Sequence, residues 1–375
     1  MIMRRRARVF GVALLIWAGT RPAWGQEIPL ELRHEPLPPT ETSGVIQLLR
    51  QEDEKAVREP APAPSLEPVG RAPRGTPNVG FGPLSISSQS PLHALRMGTA
   101  PEGPLLLAPG RWEARENLTW SRMWAQADDY LLSFETLGRA CSVAHGVTER
   151  LQLELGVVET ARFSGDLDGF VKNFHETFDL GQGGRDTIEE GSYEFQVGNV
   201  RIQEGASGET TRNLFAAAHY TLTEGSDAVP AIAATLKVGS ALGDSPDLRG
   251  DSVGVAGSLT VSKGWGDLYA YLGAGFAWYG RESFHGLPLR PFGASILTAL
   301  EWRFLAGASL IVQHLWTPGA LEGYEDLSRP SYELGLGLKI QAAEGAVIEI
   351  GMTENILVFD SSPDFGLHAG LSVRF

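Results

Sequence analysis

Period-two alternation of apolar and polar positions runs through the chain from Arg111 onward. Leu151, Leu153, Leu155 and Val157 interleave with Arg150, Gln152 and Glu154. Leu268, Ala270, Leu272, Ala274, Phe276 and Trp278 form one face of a second segment, and Tyr332, Leu334, Leu336, Leu338 and Ile340 alternate with Glu333, Gly335, Gly337 and Lys339 in a third. Leu367, Ala369, Leu371, Val373 and Phe375 do the same against His368, Gly370, Ser372 and Arg374. Side chains of a strand point alternately to its two faces, whereas a helix would need apolar spacings of three and four, which these segments lack. Weaker alternation predicts further strands near 111–124, 130–145, 211–223, 231–241, 251–263, 291–303, 306–316 and 345–355. About twelve strands of ~10 residues or more result, the length that a tilted membrane-crossing strand requires.

The connections alternate in length. Short turns are expected at 145–148, 225–227, 263–265, 305–307 and 342–344, and longer loops at 162–210, 242–250, 280–290, 317–329 and 356–365. The segment Tyr193 to Gln203 also alternates, but as a wall strand it would break this order, so it is assigned to the first long loop. Trp112, Trp120, Trp124, Tyr130, Trp278, Trp302, Trp316, Tyr332 and Phe375 fall near strand ends, where amphipathic rings suit two headgroup-level girdles. A soluble sheet of this size would need a second apolar layer over its outer face, and the sequence supplies none; lipid can supply it. In lipid every backbone donor and acceptor must be paired, so the sheet has to close. The expected fold is all-β: a transmembrane antiparallel β-barrel of about twelve strands over 110–375, with a short helix in the first long outer loop.

The N-terminal part is different. Arg4, Arg5, Arg6 and Arg8 precede an apolar run from Val9 to Gly19, and Ala23-Trp24-Gly25 offers small residues for cleavage, so 1–25 reads as a signal peptide. Residues 26–79, with Pro60, Pro62, Pro64, Pro68, Pro73 and Pro77, read as a Pro-rich, largely disordered periplasmic tail. Residues 80–109 read as an ordered lead-in that can tuck into the lumen. An even number of strands places the tail and the C-terminus in the periplasm. Without the signal the chain has 26 basic and 45 acidic residues, a net charge of −19 that argues against nucleic acid as a partner. The single cysteine, Cys141, excludes an intramolecular disulfide and any multi-cysteine metal or redox site.

Several motifs resemble a family of Gram-negative outer-membrane proteins catalogued only as a domain of unknown function, the DUF3187 type. They are Gly82-Pro83-Leu84 and Ser90-Pro91-Leu92, then Gly110, then His145-Gly146-Val147-Thr148-Glu149-Arg150-Leu151. The most specific is Gly165-Asp166-Leu167-Asp168-Gly169-Phe170 with Phe174-His175, Phe178, Leu180 and Arg185; Thr353-Glu354 and Asp364-Phe365 also fit. Ser121-Arg122 departs from the family's usual Asn after the first-strand Trp, and the Pro-rich tail is a second departure. The resemblance covers roughly 80–375. It implies the barrel and its location, and brings no established activity.

Two constellations can carry chemistry. Leu167, Phe170, Val171, Phe174 and Phe178 recur at helical spacing, predicting an amphipathic helix from Asp166 to Leu180, capped by Asp166 and folded over the barrel mouth. Asp166, Asp168, His175, Arg185 and Asp186 then form a candidate polar site in that loop. A calcium loop is poorly matched, because Phe170 stands where an oxygen ligand is needed. The second constellation is the inner wall, for which Arg111, Glu113, Arg115, Glu135, Arg139, Arg150, Glu154, His219, Lys237, Glu301, Arg303, Glu333, Lys339, Glu349, His368 and Arg374 are the candidate lining residues. Glu116 and Arg122 fall on the lipid-facing parity, so they are expected near an interface.

No nucleotide loop, HExxH or CxxC occurs, and neither a cofactor, a resident metal nor enzyme activity is expected. The leading expectation is a channel or transporter for small solutes, narrowed or gated by loop 162–210. The alternatives are a non-conducting structural, adhesive or partner-docking barrel and, third, a lipid-modifying enzyme. Expected partners are outer-membrane lipid, the barrel-assembly machinery reading the C-terminal strand that ends on Phe375, and a periplasmic partner of the tail.

Overall fold

The computed structural model describes residues 78–178, 189–204, 210–242, 253–280, 282–355 and 360–375. The signal peptide, the tail up to residue 77, and the site candidates Arg185 and Asp186 lie outside the described residues. Twelve long strands make the wall: β1 (Trp112–Ala127), β2 (Tyr130–Thr148), β3 (Leu151–Phe163), β6 (Thr210–Thr223), β7 (Ala231–Leu242), β8 (Val253–Trp265), β9 (Leu268–Tyr279), β12 (Phe292–Leu305), β13 (Ala308–Thr317), β14 (Ser331–Ala343), β15 (Ala346–Glu354) and β16 (Phe365–Arg374). Each pairs antiparallel with its neighbours along the chain, and β16 pairs with β1 from Glu113↔Arg374 to Arg122↔Phe365, so the sheet closes on itself. The expected barrel of twelve strands is the fold. The segment 193–203 forms the hairpin β4 (Glu194–Val197) and β5 (Val200–Ile202) within the first long loop, as the alternation of loop lengths requires. A second small hairpin, β10 (Ser283–Phe284) with β11 (Leu287–Pro288), lies in a later loop.

Several strands run further than their sequence pattern suggested. β2 continues through His145-Gly146-Val147-Thr148, and β8 through Lys263-Gly264-Trp265. The reversals fall at 149–150 and 266–267, where Gly266 takes a φ of +63°. In a closed ladder, backbone pairing carries a strand to the end of its partner whatever the side chains do. At the seam, the Trp112 and Phe375 backbones exchange two N–H···O bonds of 2.9 Å each. Deleting Phe375 removes this last rung; the expected result is less folded barrel in the membrane, measured as less heat-modifiable band on a gel.

Most of the outward face is apolar and, among the described residues, uncovered. Leu155 is 67% exposed, and Leu272, Phe276, Leu300, Trp302 and Ile350 are also open, with no protein layer over them. A belt of this kind suits hydrocarbon. The inner face holds the core. Val79, Leu84 and Ile86 pack inside against Tyr269, Tyr271, Leu297 and Ile311.

Candidate functional site: a chain segment inside the barrel

Residues 78–109 line the inner wall and return. Asn78 sits at the short-turn end, its amide donating to the Ser226 and Val229 carbonyls at 2.7 and 2.9 Å. From there the chain ascends. The Phe81 and Gly82 N–H groups donate to the Glu301 carboxylate at 2.9 and 3.1 Å, which also accepts from the Tyr271 and Ser309 hydroxyls at 2.7 Å. Ser85 N–H donates to Glu349 at 2.6 Å, and Lys339 donates to the Pro83 carbonyl at 2.5 Å. Near the long-loop end the Ser88 hydroxyl and the Gln89 N–H donate to Glu333 at 2.5 and 2.9 Å.

After Leu92 the segment turns and descends. The Tyr279 hydroxyl donates to the Met97 carbonyl at 3.1 Å, Ser295 to Thr99 at 2.7 Å and Thr260 to Glu102 at 2.6 Å. Leu107 N–H reaches the Gln152 side chain at 2.9 Å, back near the short-turn end. The segment is thus held by inward wall side chains on its main chain, with no β-ladder of its own. Glycines of the wall make the close approach possible. A Cβ on Gly337 would stand 2.7 Å from the Leu84 side chain, and one on Gly239 would meet Met97 at 2.8 Å. Gly82 itself takes a φ of +89°, which turns the chain at Pro83 and seats Leu84. A space of about 70 Å³ remains between the segment and β1–β3, lined by Ser87, Asn117, Thr119 and Thr160. That volume suits a few waters.

At the long-loop end the barrel is roofed. Met123 and Leu132 from the extended β1–β2 hairpin meet Phe195 and Ile202 of β4–β5, Phe284 and Leu287 of β10–β11, Leu321, and Leu92 of the internal segment in one buried cluster. The buried Arg162 guanidinium lies against three of the rings, 5.0 Å from Phe195, 5.1 Å from Phe284 and 5.7 Å from Phe134. Such stacking on desolvated faces ties the hairpins to the wall. His93 faces the Pro318 carbonyl at 2.6 Å; burial holds its imidazole down, at about 4, so the neutral ring donates from Nε2.

The lining candidates separate into three groups. Glu113, Arg115, Glu154, His219, Lys237, Glu301, Arg303, Glu333, Lys339, Glu349, His368 and Arg374 share the inward parity. Arg111 and Arg150 sit exposed at the short-turn rim. Arg139 and Glu135 do not face the lumen. Arg139 lies opposite Leu118 on the outer face, where it pairs with Glu116 at 2.8 Å. Glu135 lies opposite Arg122, also outward. β2 misleads because both of its faces mix sizes and polarities, so charge alone pointed the wrong way. Tyr130, taken for a girdle ring, is inward and buried in the roof.

The helix, α1 (Leu167–Thr177), is shorter than expected and lies elsewhere. It packs on outward-parity residues of the wall, with Leu167 and Val171 against Phe365, and not across the mouth. Asp166 is exposed and makes no side-chain capping bond. Asp168 turns inward to the wall, forms a side-on ion pair with Arg122 at 2.6 and 2.8 Å, and accepts the Gly191 N–H at 2.9 Å. Glu135 accepts the Leu167 N–H at 2.6 Å and the Trp120 indole N–H at 2.5 Å. His175 lies 3.3 Å from Glu354. Of the polar loop candidates, Asp168 and His175 therefore dock the helix on the barrel's outer flank. The buried stripe is Leu167, Val171 and His175, while Phe170 and Phe178 remain exposed beside the apolar belt.

The family described as "Protein of unknown function (DUF3187)" matches residues 71–375. The chain belongs to this DUF3187 family. No curated protein matches it. Among solved structures, the COG4313 outer membrane channel from Pseudomonas putida F1 is 13% identical with a TM-score of 0.46, covering 74% of this chain and 99% of that one. The KdgM porin is 9% identical with a TM-score of 0.37 (71% and 99% covered), and the NanC porin 7% with 0.41 (70% and 98%). The motifs by which this DUF3187 chain resembled its family fall at contact points. Gly82-Pro83-Leu84 seats the ascending limb, Leu92 enters the roof, and Asp168 and His175 fix the helix. Glu102, Gln152, Tyr271 and Tyr279 had no signal of their own, because the partners Lys237, Leu107, Glu301 and Met97 that they contact lie 30 to 182 positions away.

Proposed function

We propose that this DUF3187 protein is an outer-membrane channel for small polar solutes that its own segment 78–109 holds closed. The observation that carries the reading is the way in which the lumen is filled. A polar, charged inner wall is engaged by an irregular segment through side-chain hydrogen bonds, so the segment can leave without breaking one rung of the barrel. A wall built only for rigidity is served better by apolar packing than by buried carboxylates, which gain little net stability. Of loop 162–210, the helix lies on the flank and only the hairpin β4–β5 takes part in the roof. The proposal includes export through a cleaved signal, both chain ends in the periplasm, engagement of the barrel-assembly machinery by the strand ending on Phe375, and a periplasmic partner for the tail.

The test is planar-bilayer recording. The full chain should be silent at rest, and a chain lacking 80–105, with folding verified by heat-modifiable mobility, should carry steady current. Deleting 164–190 should leave the full chain silent. Silence of the folded barrel after removal of 80–105 would favour the second reading, a sealed structural or docking barrel, for which the apolar roof is the supporting observation.

A further inference from the structure

Opposite the carboxylates of β12–β15 in the ring of strands, β1, β3, β6 and β7 bring a mixed cluster around one residue of the internal segment. The Glu102 carboxylate lies 3.2 Å from Arg115 and 3.4 Å from Lys237. Its carbonyl is fixed by Thr260, so the side chain is delivered to these cations by a clamped backbone. Arg115 also pairs with Glu113 and stands 3.8 Å from Glu154, and Arg374 pairs with Glu113. His219 takes Glu154 at 2.8 Å. Lys237 lies on the Phe215 ring at 4.6 Å, which keeps its ammonium aimed at the lumen.

The charges balance only with Glu102 present. Arg115, Lys237 and Arg374 are three fixed cations, and Glu102, Glu113 and Glu154 three carboxylates. When the segment leaves, Glu102 leaves with it. The wall then keeps one uncompensated positive charge, and Lys237 loses its carboxylate. Beside the pair, a void of about 10 Å³ lined by Thr235, Gly257 and Ser258 borders Lys237. Glu102, Glu154 and His219 also bring ligand atoms within 4.8 Å of one another, a spacing that a metal ion could use. The same carboxylates already face Arg115 and Lys237, so a dication would meet like charge, and the cluster is better matched to an anion.

Resting on the reading of a lumen that opens, we propose that Arg115 and Lys237 form a carboxylate-binding site, occupied by the chain's own Glu102 when closed and by a carboxylate-bearing solute when open. Glu102 is an internal ligand at high effective concentration, and a free carboxylate must displace it. Charge-assisted bonds to a planar guanidinium and an ammonium favour a carboxylate over a spherical anion of equal charge.

The test uses the full chain in detergent micelles, with acetate as the probe and binding followed by broadening of its carbon-13 signal. Glu102→Ala, and the near-isosteric Glu102→Gln in case the first fails to fold, should bind acetate at least ~10-fold more tightly than the unmodified chain. Adding Lys237→Met to either should abolish the gain. Acetate affinity unchanged by both Glu102 variants would overturn the proposal, as would equal competition by chloride. Bilayer current is read separately. Acetate binding without current in the chain lacking 80–105 would sink the channel reading and leave the site standing, whereas current without acetate binding would do the reverse.

Discussion

Replacing Arg122 with alanine should lower the stability of the folded barrel by about 3–5 kcal/mol, among the largest effects of any single change on the outer wall. Arg122 is 1% exposed and its guanidinium is the cation that faces Asp168 beneath α1. Glu135 lies directly opposite on β2 and shares the same covered patch. Without the guanidinium, two carboxylates stay between the helix and the wall with no cation between them, and the Ser133 hydroxyl loses a 2.6 Å donor. The helix is then expected to lift from the flank. Thermal unfolding followed by gel mobility reads the stability loss, and faster cleavage near Lys172 reads the helix. An Arg122→Ala barrel with unchanged melting and protection would mean that the helix is held without the Arg122–Asp168 pair, by its apolar contacts with Phe365 and by Glu135 and Glu354.

The second large effect concerns the lumen. Glu301→Ala with Glu333→Ala removes the acceptors of four donors on the ascending limb: the Phe81, Gly82 and Gln89 N–H groups and the Ser88 hydroxyl. Hydrogen bonds to a charged acceptor are worth about 1.5–3 kcal/mol each. Water admitted to the lumen replaces part of this, so the limb is expected to open roughly 100-fold more often, about 2.8 kcal/mol. Limited proteolysis of the refolded protein checks it. New cuts should appear within 80–92 while the wall strands stay intact. Equal resistance of the double variant would place the hold on the limb in Leu84 and its glycine seat.

What the chain revealed in advance follows from which contacts are local. Lipid imposes one rule on the outward face everywhere, so strands such as β9 and β14, with uniform apolar outward rows, were legible almost residue by residue. β2 was not, because its outward row contains Glu135 and Arg139 and its inward row Leu132 and Phe134. There the rule is suspended: a helix covers the outside and a roof fills the inside. The helix was legible from Leu167, Val171 and Phe174, but its seat was not. The Asp168–Arg122 pair joins residues 46 positions apart, and no periodicity encodes that meeting. The internal segment was visible only as a stretch rich in glycine, serine and proline that could enter the lumen. Its route depends on carboxylates on β12, β14 and β15, more than 200 positions distant, and on gaps left by wall glycines.

Both limbs of that segment meet the barrel at the same rim, Asn78 beside Ser226 and Leu107 beside Gln152. The segment is therefore a folded-back loop that never passes from one side of the membrane to the other. Its topology is that of a finger in a thimble. On the proposed reading it leaves and re-enters through one opening, with no need to part the seam between β1 and β16. If the segment opens as proposed, the wall is left unchanged each time.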